Sequence, residues 1–171
     1  MSQPTPANQP ALALAAPAYF TSRGIAKFCW CDVLTNMYTP TAAQLNAATD
    51  LSPAVGGSDG WDQESETLTA TPLNDRKDKQ VAGPISYSDS SLELYASLAD
   101  EAALTLMPQD DYGYITRYPK GFGTGKPLDI FKVRVAVATR LMEIQGSDVD
   151  RLRFQYSIED SVIGLTVPAA A

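Results

Sequence analysis

At 171 residues and 44% hydrophobic content, the chain can bury one sizeable core and has the make-up of a globular domain. Its formal net charge of −7 argues against ordinary nucleic-acid binding, which sets Lys and Arg against phosphates. It contains no histidine, which excludes Ser-His-Asp and Cys-His sites and removes the commonest metal ligand.

Residues 1–17 (MSQPTPANQPALALAAP) are Pro, Ala and small polar residues, the composition of a flexible arm. No basic residue precedes Arg23, and prolines interrupt the ALALAA run, so this is not a secretory signal. No stretch is long and apolar enough to span a membrane, which points to synthesis in the cytoplasm. The expected organisation is an arm over 1–20, a β domain over 21–167 and a tail over 168–171.

Residues 26–38 (AKFCWCDVLTNMY) predict the first strand, with Phe28, Trp30 and Asp32 on one face and Cys29, Cys31 and Val33 on the other. Two cysteines at i and i+2 are badly placed to bridge each other, and a metal would want more thiolates or imidazoles than the chain has. They read as small apolar core residues in a reducing compartment. Residues 41–49 predict a short helix, with Thr39 or Thr41 as N-cap and Pro40 near the first position.

Residues 60–71 (GWDQESETLTAT) predict a strand polar on both faces, with Trp61, Gln63, Ser65, Thr67 and Thr69 alternating with Asp62, Glu64, Glu66 and Leu68. Such a strand is either an edge that carries charge against aggregation or the lining of a watery channel. Residues 72–84 then form the charged tip of a hairpin. That tip reads as a solvated loop or as one that orders on a partner of opposite polarity. Over 85–94 the apolar parity changes, which predicts a bulge or a bend near Asp89–Ser91. An amphipathic helix follows over 96–106, ended by Pro108.

After a short strand over 111–119, the loop KGFGTGKP (120–127) suggests a phosphate cradle. It fails that motif, since Lys120 stands in the place of a glycine and Pro127 in the place of Ser or Thr. Residues 130–144 and 151–163 give the clearest pattern in the chain. Phe131, Val133, Val135 and Val137 share one face; Leu152, Phe154, Tyr156 and Ile158 share one face of the partner strand. With turn chemistry at Gln145–Asp148 this is an antiparallel hairpin, one face packed and one wet. The carboxylate pairs Asp62/Glu64 and Asp110/Asp111 lack a tuning partner, so no enzyme activity and no cofactor are expected.

The segment PTAAQLNAATDL (40–51), then Gly60–Trp61, then a charged hairpin loop, a strand with a helix behind it and a last strand pair, resembles the major tail tube proteins of long-tailed bacteriophages. The likeness covers residues 25–165. It implies a mainly β fold, an antiparallel β-sandwich or barrel with a flanking helix and a long inter-ring hairpin loop. It further implies hexameric rings stacked into a hollow virion tail tube, through which DNA passes without specific binding. By the same likeness Asp62, Glu64 and Glu66 are candidates to line an acidic lumen, and Asn74, Asp75, Arg76, Lys77, Asp78 and Lys79 to contact the next ring. Tape-measure, tail-tip and tail-terminator proteins are the implied partners. Competing expectations are the inner tube of a contractile injection or secretion system, a tail-terminator ring, and a β-barrel that binds a small apolar ligand.

Overall fold

A computed structural model describes residues 21–70, 77–97, 102–142 and 149–169. The N-terminal arm, most of the ribbon tip, the turn at 145–148 and residues 170–171 lie outside the described residues. In chain order the elements are β1 (Lys27–Cys31), α1 (Ala42–Asn46), β2 (Thr49–Asp50), β3 (Val55–Asp59), β4 (Gln63–Ala70), β5 (Lys79–Tyr87), β6 (Ser90–Tyr95), α2 (Ala102–Leu106), β7 (Tyr112–Tyr118), β8 (Pro127–Leu141) and β9 (Arg151–Thr166). Seven strands form one antiparallel sheet in the order β2-β1-β7-β8-β9-β6-β3, curled into a half-barrel. Among the described residues the other two strands, β4 and β5, pair only with each other.

The long β8–β9 hairpin is the spine. Its two strands could not stay straight in so curled a sheet, and the pairing register shifts three times along them. One shift corrects the expected alternation: Val135 faces Tyr156 and Val137 faces Gln155, so Ala136 is an extra residue. Past that bulge Ala138, not Val137, packs against the core.

Inside the curl lie Trp30, Trp61, Leu92, Leu94, Ile115, Phe131, Val133, Val135, Phe154 and Tyr156, with Ala103, Leu104 and Met107 of the α2 region against them. The outer face of the hairpin's lower half is not wet, as expected, but carries a second cluster. There Leu128 and Ile130 meet Cys29, Cys31, Tyr118, Leu34, Met37, Leu45 and Val167. Leu45 comes from α1, whose N-terminus is closed by a capping box between Thr41 and Gln44. Pro40 therefore sits one residue before the cap, not inside the first turn.

Three more boundaries differ from expectation. The first strand stops at Cys31, where its pairing with β7 ends; the Trp30 indole donates to the Asp32 carboxylate just beyond, and Leu34 and Met37 reach the core from irregular backbone. Residues 85–94 are not one bulged strand: β5 ends at Tyr87, and Ser88–Asp89 cross to β6 in the other sheet. The later helix is α2 alone among the described residues, since 98–101 lie outside them and Ala96 leaves the helical path to bond the Asp150 carbonyl.

Both cysteines are free and buried. Burial pushes the Cys29 thiol up to about 11, and raises Cys31 too. Nearby, Asp129 accepts from Arg117 at 3.1 Å and from the Gly164 backbone at 2.9 Å, which fixes the register shift on that side of the hairpin.

Candidate functional site

The β4–β5 ribbon is where the candidate residues fall, and its root is built before its face. Gly60 carries a φ of +74°, a conformation that suits glycine, and lets the chain leave β3 sharply. Its carbonyl accepts from Ser88 Oγ and Ser90 Oγ. Trp61 then plunges into the core at 4% exposure, donates Nε1–H to the Ser91 carbonyl at 3.2 Å, and packs on Phe28, Phe131 and Tyr156. Trp61 is thus an anchor placed before the strand. Next, Gln63 Nε2 donates to Ser161 Oγ at 2.8 Å, and the Tyr87 hydroxyl meets the same oxygen at 3.0 Å. These bonds lean one face of the ribbon root onto β9.

Pairing runs Gln63↔Tyr87, Glu64↔Ser86 and Ser65↔Ile85, then resumes at Thr67↔Ala82 and Leu68↔Val81. Gly83 and Pro84 together oppose Glu66, so β5 carries a bulge. By alternation Glu64, Glu66 and Leu68 share the face opposite Gln63, and so point away from the β9 contact. Asp62 has the same parity but precedes the strand. All three acids are exposed, as is every residue of β4. Lys77 and Asp78 lead into Lys79, the first residue of β5, opposite Ala70. Asn74, Asp75 and Arg76 lie outside the described residues.

Two features of the ribbon escaped the sequence reading. The Gln63–Tyr87–Ser161 contact joins residues up to 98 positions apart and leaves no local signal. The pair Leu68 and Val81, 52% and 54% exposed, and Ile85 at 62%, put apolar side chains on a ribbon that nothing among the described residues covers. The signal was there, in a leucine and a valine inside otherwise polar strands.

Chemically the described part of this surface offers carboxylates on projecting backbone. Among the described residues no group of three or more His, Cys, Asp or Glu is placed to hold a metal ion, and no helix is long and apolar enough to cross a membrane. A small-ligand barrel would need an empty apolar interior; here the inside of the curl is filled by Trp30, Trp61, Phe131, Phe154 and Tyr156.

A family model described as phage tail tube protein matches residues 15–171. Among solved structures, the chain is similar to a component of the anti-feeding prophage baseplate in its 6-fold symmetrised cryo-EM structure (TM-score 0.54, 10% identity, 91% of this chain and 100% of that one). It is also similar to the SPP1 tail tube protein, from a structure by solid-state NMR and cryo-EM (TM-score 0.55, 12% identity, 84% of this chain and 78% of that one). No curated protein sequence matches it.

Proposed function

Because the chain belongs to the phage tail tube protein family, with a structural role in the tail tube, we propose that it forms hexameric rings stacked into a DNA conduit. The observation that carries this is the family match over residues 15–171, joined to a fold left open. A curled sheet has unpaired edges, and a two-stranded ribbon stands beside it with both faces exposed. In this reading copies of the chain close one another's edges into a barrel wall. Asp62, Glu64 and Glu66 face the lumen, where their charge repels phosphates so that DNA slides without binding. The ribbon tip, residues 74–79, contacts the next ring. Tape-measure, tail-tip and tail-terminator proteins complete the tail, and the virion tail is where the protein resides. The reading assigns it no catalysis and no cofactor.

Negative-stain electron microscopy of the concentrated, aged protein tests this directly. Hollow tubes or six-fold rings are expected, if necessary after co-expression with tail-tip proteins. Particles that stay monomeric even then would overturn the reading. The likeness to the anti-feeding prophage baseplate favours one second reading, the inner tube of a contractile injection system. Tubes found inside a contractile sheath in the native particle would decide for it.

A further inference from the structure

We propose that two copies of this chain dock head to tail along the β1–β7 strand direction, the basic end of one seated on the acidic end of the next. The proposal rests on the assembly reading above and adds which surfaces meet.

Charge is segregated along the chain. Residues 28–75 contain no Lys or Arg, and residues 112–128 contain no Asp or Glu. The fold turns this into two poles. In the β1–β7 pair, Lys27 lies opposite Tyr118 at one end and Cys31 opposite Tyr114 at the other. Beyond the first end sit the turn carrying Arg23 and the loop from Lys120 to Lys126, all three cations exposed. The two segments touch: a Cβ on Gly121 would lie 3.1 Å from the Ile25 carbonyl oxygen and 3.7 Å from Lys126 Nζ. The acids near this end, Asp50 and Asp129, are held by Lys27 at 2.8 Å and Arg117 at 3.1 Å. Ile25 and Phe122, 44% and 39% exposed, lie among the cations.

At the other end Asp32 follows β1, and Asp110 and Asp111 precede β7. Arg134 pairs with Asp110 at 2.6 Å. Neutral donors bond the other two: the Trp30 indole N–H donates to Asp32, and the Tyr112 backbone N–H to Asp111. Val33 at 75% and Tyr112 at 52% exposure stand beside them. Strand β7 separates the poles by roughly 20 Å.

A symmetric contact through either pole would set like charge on like. Joining opposite poles puts Arg23, Lys120 and Lys126 against Asp32, Asp110 and Asp111, with an apolar residue pair on each side. Such a contact is heterologous and repeats, which is what a polymer needs. It also answers the net charge of −7, which otherwise opposes association of copies.

The test is a charge swap. One variant carries Arg23→Glu, Lys120→Glu and Lys126→Glu; the other carries Asp32→Lys and Asp111→Lys. Circular dichroism melts confirm folding, and Lys126→Glu alone replaces the triple variant if that one does not fold. Each variant alone should need a protein concentration about tenfold higher or more to polymerise, because like charges then face each other. An equimolar mixture should polymerise again as an alternating copolymer. Folded variants that assemble like the unmodified protein, or that fail to rescue each other, overturn the docking alone. No polymer from the unmodified chain under any condition overturns the assembly reading and this docking together.

Discussion

Replacing Gly60 by alanine isolates the junction on which the ribbon depends. At its φ of +74° an L-residue costs about 1–2 kcal/mol. Alanine at Gly125, with φ +75° and nothing within 4 Å of an added Cβ, carries that cost alone. At Gly60 the added Cβ would also fall 2.0 Å from the Asp89 carbonyl oxygen and 3.1 Å from Ser90 Cα, which are backbone atoms with little room to yield. The crossing strand must move, loosening the bonds that Ser88 and Ser90 donate to the Gly60 carbonyl. Each such bond contributes about 1 kcal/mol. The total for Gly60→Ala is then about 3–4 kcal/mol, a fall in Tm of roughly 10 °C for a chain of this size. Thermal melts of both variants by circular dichroism provide the comparison, with Trp fluorescence reporting Trp61 as it leaves its pocket. Equal destabilisation by the two substitutions would refute the close approach of Gly60 to Asp89.

Further outcomes follow from the same geometry. Truncating residues 74–80 should leave a folded subunit that no longer forms tubes; tubes of normal length would sink the role given to the ribbon tip. Asp129→Ala takes the partner from the half-buried Arg117 and from the Gly164 backbone. It should cost about 3 kcal/mol in a denaturant titration, whereas a loss within error would mark the pair as surface-like. Burial pushes Cys29 to about 11 and Tyr118 to about 12, above their ordinary values of 9.0 and 10.0. Raised values mean stability present below the unfolded pKa and lost as pH climbs through the folded one. The Tm should therefore fall between about pH 9 and about pH 11, less steeply in Cys29→Ala, and a Tm level across that window would contradict the buried thiol.

Much of this architecture could be read locally. Period-two alternation marked β8 and β9, because their side chains stand half in the core. The Thr41 cap and its Gln44 partner lie within one helical turn. The shared parity of Asp62, Glu64 and Glu66 follows from alternation alone. What escaped the reading was set by distant residues. Leu128 and Ile130 are buried because α1, Leu34, Met37 and Val167 fold over the outer face, which no window around residue 130 contains. The Ala136 bulge answers to sheet curvature and carries no marker of its own. The parity change near Asp89 is visible in the sequence, but a bulge within a strand, a bend and a crossing between sheets produce the same local pattern. Trp61 has the parity of a strand residue, yet it belongs to the core, since aromatic partners from β1, β8 and β9 converge on it.

The pairing register itself argues for a subunit completed by its neighbours. Pairing of β7 with β8 ends at Tyr112↔Arg134, although β8 runs on to Leu141. Pairing of β6 with β9 ends at Ser90↔Tyr156, although β9 continues to Thr166. Among the described residues, each of these two longest strands therefore lacks a strand on its outer side over much of its length, on opposite sides of the hairpin. Beside one of these open stretches stands the ribbon, tied to β9 by the Gln63–Tyr87–Ser161 contact and not by a ladder of backbone bonds. An isolated two-stranded ribbon is marginal in water, and open edges invite pairing with whatever strand comes near. A monomeric protein guards against this by covering or closing its edges. Here Ile85, on the ribbon face turned away from the acids, stays exposed where such a guard would stand, as a surface held for another copy requires. Charge reversal at Asp62, Glu64 and Glu66 then separates the two uses of the ribbon: in a lumen wall it leaves assembly intact and changes how DNA passes, whereas at a contact between copies it stops assembly.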